Sequence, residues 1–349
     1  MAKRNLPTAP IVALELWQQL YQAAADLQLL APWQWMDDTH VLGINSSQGV
    51  RLISVMGSLG EVFGLVSYRH DTGVNFIIRL LRREFSPETL ETVFYQDAAL
   101  VDFVPRNELR AADRRIIQEV RFRPVAQKPR LFPKFTSFVP GYVPWLIDES
   151  EARLLLEDLQ KALRFAQLLR DPPKRFVARK SGEFPFYPER ASEPLTLDQF
   201  EWHLVSPVPP PADPPVTLEP ADLAALLQTD RMEDAVWELT AFYSKASISE
   251  PPRPYWPKLA LSIDASDGIV LGFQLGATEE TMAAVATECL TKAVLACGGR
   301  PAVIRLDSVN LFRALGPVAK ALEVRLLQVK SLPMAEEARR CLEAYNRSL

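Results

Sequence analysis

Cysteine and histidine are scarce, three of each in 349 residues, and neither is spaced for chemistry. Cys289, Cys297 and Cys341 are odd in number and lack a CxxC pair, which excludes a disulfide framework and a zinc ribbon and predicts buried, reduced thiols. His40, His70 and His203 have no nucleophile motif beside them, and GxSxG, HExxH and the nucleotide-binding glycine fingerprint are all missing. Gly57-Ser-Leu-Gly60 with Gly64 lacks the Lys-Ser/Thr ending of a phosphate loop and reads as a hairpin. No apolar run approaches the roughly 20 residues that span a membrane. Glu15 and Gln18-Gln19 interrupt any signal-peptide core, so the expectation is a cytoplasmic protein without a membrane partner. A basic excess is lacking as well. Thirty-nine Lys and Arg face 43 Asp and Glu, a net charge of −4, which argues against a dedicated duplex-DNA binder because phosphate neutralisation dominates such binding.

Proline, by contrast, is abundant: 29 residues, and clustered. Ser206-Pro-Val-Pro-Pro-Pro-Ala-Asp-Pro-Pro215 sustains neither a helix nor a central strand. It predicts a linker at 206–220 between domains at 1–205 and 221–349, each large enough for its own core. A second cluster, Glu250–Pro257, separates a helix from the expected first strand of the C-terminal domain. In the N-terminal domain the spacing of Leu14, Trp17, Leu20, Tyr21, Ala24 and Leu27 predicts a helix over 11–30. Helices are expected from Asp71 or Thr72 to Arg83, over 107–117 and over 151–169. Strands are expected near 40–44, 51–56, 62–68, 98–104, 175–179 and 202–205. The fold class is α+β for this domain.

The C-terminal domain reads as α/β. Leu259–Asp264 and Ile269–Leu275 form a hairpin turning on Asp267-Gly268, followed by a helix, the strand Ala302–Asp307, a helix, the strand Val324–Val329 and a final helix. That order resembles the ribonuclease-H-like core of integrases and transposases. The resemblance implies carboxylates on two strands and the last helix, holding Mg²⁺ or Mn²⁺ for phosphodiester chemistry. Candidates are Asp264, Asp307 and Glu343, with 42 and 35 residues between successive members, and Glu337. Register speaks against an active site. The hairpin matches the second and third strands of such a fold, which leaves the first strand to 246–256, a segment without aspartate. Asp307 alone then matches a catalytic position as a metal ligand, and it serves equally as the cap of the helix that follows. On the last helix Met334, Ala338, Cys341, Leu342 and Tyr345 form an apolar stripe, with Glu343 almost opposite it and solvated, and Glu337 nearer its edge.

Between Arg121 and Ile147 runs a segment that is basic and aromatic. It offers Arg121, Arg123, Lys128, Arg130 and Lys134 as cations, with Phe135 and Trp145 among the rings, and no acid. Such a mixture suits single-stranded nucleic acid. It also suits aromatics anchoring an irregular segment to the core while the cations stay solvated, or a docked protein partner.

Trp33-Gln-Trp35-Met-Asp-Asp, Val55-Met-Gly-Ser-Leu-Gly-Glu61 and Gly64–Tyr68 in the first domain, with Pro257–Asp264 and Gly299–Ile304 in the second, resemble a bacterial family built from two domains of unknown function. That resemblance assigns no functional residue. The leading expectation is a non-catalytic protein, without cofactor, that binds a protein or nucleic-acid partner. The alternative is a divalent-metal-dependent nuclease or strand-transfer enzyme.

Overall fold

The computed structural model describes residues 11–84, 92–126, 128–171, 176, 178, 180–208 and 213–348. The chain divides into two units, one of residues 1–209 with 251–253 and one of residues 210–250 with 254–349. Part of the proline run, 209–212, and most of the strand expected near 175–179 lie outside the described residues.

The N-terminal unit is built on a seven-stranded mixed sheet. Its strands are β1 (Val41–Ser46), β2 (Gly49–Met56), β3 (Gly64–Tyr68), β4 (Ala98–Val104), β5 (Phe132–Phe138), β6 (Glu183–Phe186) and β7 (Glu201–Leu204), in the order β5-β4-β3-β2-β1-β6-β7. β1 to β5 form an antiparallel meander, and β6 joins β1 in parallel. Helices α1 (Leu14–Leu30) and α5 (Glu149–Leu168) cover one face, where Trp17, Leu20, Leu27, Leu155 and Phe165 pack on Ile53, Val55 and Val101. Helix α2 (His70–Leu81) covers the other, with Val74, Phe76 and Ile77 on Leu52 and Val66. Strand alternation makes this work: Ile53 and Leu52 are neighbours in sequence and point to opposite cores. α3 (Thr92–Tyr95) and α4 (Ala111–Glu119) occupy connections. The Gly57-Gly60 segment is the turn between β2 and β3, as its pattern predicts. Asp148 caps α5, accepting from Glu151 N at 2.8 Å while the Glu151 carboxylate accepts from Asp148 N at 2.9 Å.

The C-terminal unit has helices α6 (Pro220–Leu227), α7 (Met282–Cys297), α8 (Val309–Ala314), α9 (Gly316–Ala321) and α10 (Pro333–Ser348). Its five strands are β8 (Asp230–Tyr243), β9 (Lys258–Asp264), β10 (Val270–Gly276), β11 (Gly299–Leu306) and β12 (Arg325–Gln328), in the order β10-β9-β8-β11-β12. β9 runs antiparallel to both of its neighbours, β8 and β10, and β11 and β12 run parallel to β8. The first strand is therefore β8, which corrects both the helix expected before the second proline cluster and the strand expected at 246–256. The charged start Asp230–Asp234 hides the alternation that follows, where Trp237 and Leu239 enter the core and Glu238 and Thr240 face away from it. α7, α8 and α9 share that core with β8, β9 and β11. On the opposite face α10 rests on Leu259, Leu261 and Ile263 through Ala335, joined by Leu332 just ahead of the helix.

Candidate functional site

α10 covers the sheet only in part, and that fixes the site. In register, Phe273 lies beside Leu261 and Leu275 beside Leu259, so these β10 side chains share the α10 face of the sheet. Among the described residues no helix covers them: Phe273 is 64% exposed, Leu275 49% and Val270 46%. Between β10 and α10 runs a groove of about 620 Å³. Its floor is Leu259 and Leu261, one wall is Val270 and Phe273, and the other is Met334, Ala338, Cys341 and Leu342. The β9–β10 turn closes one end. Gly268 sits there at φ 76°, and a Cβ on it would stand 3.3 Å from the Met334 sulfur. Asp267 and Glu337 supply rim carboxylates, Glu337 paired with Arg340 at 2.6 Å.

The apolar stripe of the last helix thus lines a groove rather than a closed core. Cys341 and Leu342 are exposed, while Ala335 is buried beneath the helix; the Tyr345 side chain lies outside the described ones. The neighbouring face of α10 is held by polar contacts. The Arg339 guanidinium stands 4.4 Å from the Phe242 ring centre, and Lys245 Nζ donates to Glu343 at 2.8 Å. Glu343 is consequently ion-paired and half-buried rather than freely solvated, because Lys245, just after β8, meets it.

Sequence reasoning missed Glu238, which is 1% exposed on β8. Its Oε2 accepts from Ala335 N at 2.9 Å, in the first turn of α10. There it satisfies an amide that no turn of the helix reaches and places a carboxylate at the positive end of the helix dipole. Its signal in the sequence was a lone acid between Trp237 and Leu239, recognisable only once β8 is known to be a strand.

The other carboxylates are dispersed. Asp264 accepts from Ser266 N and Oγ at 2.8 and 2.6 Å and shapes the β9–β10 turn. Asp307 is exposed after β11, and the cap of α8 is Ser308, which accepts from Leu311 N; the one-residue difference corrects the capping reading of Asp307. Asp264 pairs with Trp237 on one side of β8, while Arg305 pairs with Glu238 on the other. Two inter-strand spacings and three residues of rise then set the Cα atoms of Asp264 and Asp307 about 14 Å apart. Two-metal sites hold their ions about 4 Å apart. Among the described residues no group of three His, Cys, Asp or Glu is placed to hold a metal ion. Of the thiols only Cys289 is buried, and burial pushes it up to about 12; Cys297, at the end of α7, and Cys341, in the wall of the open groove, are exposed, contrary to expectation.

In the N-terminal unit Arg121, Arg123, Lys128 and Arg130 are exposed. Lys134 Nζ is half-buried, 3.9 Å from Asp102, on edge strand β5. Phe135 is 2% exposed, its ring 5.6 Å from Trp17 and 5.1 Å from Tyr21. Trp145 is half-buried and exchanges backbone bonds with Ser137. The aromatics of this segment therefore belong to the core, and the cations to its rim. Deeper in the unit, α5 presents two carboxylates to two arginines, Asp158 to Arg51 on β2 and Glu151 to Arg69 between β3 and α2. Arg69 also holds Asp97 at 2.9 Å, and the other Asp97 oxygen lies 2.9 Å from His70 Nδ1.

Each unit contains a match to a recognised domain. Residues 17–186 match a domain of unknown function, DUF7309. Residues 222–343 match a second domain of unknown function, DUF6930. No curated protein matches the chain. In the described residues no helix is long and apolar enough to cross a membrane.

Proposed function

We propose that the protein is a non-catalytic binding protein whose DUF6930 unit, a ribonuclease-H-like scaffold, docks a protein partner in the β10–α10 groove. The groove carries the reading. Exposed apolar side chains gathered around one groove on a folded unit mark an interaction site, and this one has a floor, two walls and a polar rim. The fitting occupant is an amphipathic segment with large apolar anchors and basic flanks to meet Asp267 and Glu337. The scaffold reading is supported by three antiparallel strands followed by two parallel ones. In such a scaffold the first strand bears a carboxylate. Here that residue is Glu238, engaged by the α10 amide instead of standing open to a metal.

The test is a photo-crosslinking residue at Leu342, with Glu336 on the exposed side of α10 as control, in cells that make the protein. The partner trapped at Leu342 is then purified and titrated against the wild-type chain and Phe273→Asp. The reading expects an adduct at Leu342 only, and at least tenfold weaker binding to the variant. Equal adducts at both positions, or an unchanged affinity, would overturn it.

A further inference from the structure

The two sheets have four edge strands, and three carry devices that stop edges from pairing. β5 contains Pro133 and Lys134; β7 is four residues long with Glu201 and His203; β12 is four residues long and starts on Arg325. β10 is different. Its seven residues, Val-Leu-Gly-Phe-Gln-Leu-Gly, include no charge and no proline, and its bulge lies at Val270–Gly272, so the pairing from Gly272 to Gly276 stays regular. β9 is its strand partner among the described residues, so the outer row of backbone groups has no strand beside it. The same strand forms the exposed wall of the groove.

We infer that β10 pairs antiparallel with β10 of a second copy of this chain, and that this pairing completes the docking groove. The inference rests on the groove reading above and names one of the surfaces that build it. A two-fold axis at Gln274 gives a self-complementary register. Phe273 then faces Leu275 of the partner subunit and Leu275 faces Phe273 of the partner subunit, two aromatic–aliphatic cross-strand pairs on the α10 side. Gln274 lies on the α7 side, where Lys292 Nζ donates to it at 2.5 Å. Lys292 is paired with Glu288 at 2.9 Å, so the seam brings no uncompensated charge against its copy. Exposed Ile269, Val270, Phe273 and Leu275 present on the order of 400 Å² of apolar surface per copy. Two copies with the paired backbone approach the roughly 1,000 Å² of a modest specific interface, which predicts a dimer of micromolar affinity. The grooves of both copies then merge into one apolar floor flanked by two α10 helices.

Sedimentation equilibrium of the full chain from 1 to 200 µM tests this, with Phe273→Lys and Leu275→Lys as variants whose changed side chains already face solvent. The expected result is a wild-type monomer–dimer equilibrium weakened at least tenfold by either lysine, with unchanged circular dichroism. A second arm fixes the register. In a Cys297→Ser/Cys341→Ser background, Gln274→Cys should cross-link two chains under oxidation, because the two-fold sets the paired Cα atoms within disulfide reach, and Asp230→Cys should not. A monomer at 200 µM, or a dimer indifferent to both lysines, would overturn the inference. A monomer that still binds the trapped partner in a Phe273-dependent way would overturn it and leave the groove reading standing. A lysine-sensitive dimer with no specific adduct at Leu342 would uphold it and remove the groove reading.

Discussion

Replacing Asp158 with leucine should unfold the N-terminal unit far more readily than any surface change. Arg51 Nε donates to both Asp158 oxygens at 3.1 and 3.2 Å, and Nη2 donates to Oδ1 at 2.8 Å and to Glu157 Oε2 at 2.7 Å. Ser67 Oγ adds a bond to Oδ2 at 2.6 Å. Both charges are out of water, Arg51 side chain 4% exposed and Asp158 1%. Burial raises the Asp158 carboxyl above its ordinary range despite the guanidinium, a sign that its ionised form is costly here. Asp158→Leu would leave the buried guanidinium with half-exposed Glu157 alone. Breaking a buried pair from one side costs about 3–5 kcal/mol. With a urea slope near 2 kcal/mol/M, the midpoint should fall by about 2 M. Arg51→Met combined with Asp158→Leu removes both charges and should recover most of that loss, a coupling the double-mutant cycle reads directly. Urea titration of the full chain followed by tryptophan fluorescence is the assay. A loss below about 1 kcal/mol, or a double variant no better than the single, would refute the reasoning.

Three further outcomes follow from the same geometry. Glu238→Ala should cost about 1–2 kcal/mol, the value of a lost helix cap, and hydrogen exchange should show it as faster exchange of the α10 amides beyond any global change. For Glu157, burial raises the carboxyl, but the Lys161 and Arg51 contacts outweigh it and hold it below the usual range. Its stabilising effect is therefore present above the unfolded pKa and lost as pH falls through the folded one, so wild type and Glu157→Gln should converge in melting temperature between pH 5 and 3. Of the three thiols, Cys297 and Cys341 should react with a water-soluble disulfide reagent in the native protein and Cys289 only after denaturation, counted by absorbance.

The elements with a clean period were legible. Leu14 to Leu27 gave α1, and the alternations of β2, β3 and β4 gave the core of the first sheet, because each apolar position has a single burial to satisfy. β8 was not legible, since Asp230–Asp234 reads as a charged helical turn until its pairing with β11 makes it a strand. The geometry of the candidate carboxylates was illegible for a related reason. Spacing brought Asp264, Asp307 and Glu343 together on paper, but residue counts do not say which side of β8 each strand occupies. The stripe on α10 was read correctly as apolar, yet periodicity alone cannot tell a core-facing stripe from the wall of an open groove. That distinction depends on where the sheet ends, and so on β10 being an edge.

Amide hydrogen exchange of residues 270–276 tests the account's central claim most directly, that β10 and the groove beside it form the working surface. The account predicts that these amides exchange at least tenfold more slowly at 100 µM than at 1 µM, and that Phe273→Lys abolishes the difference. Exchange that is independent of concentration, and unchanged when the trapped partner is added, would contradict it.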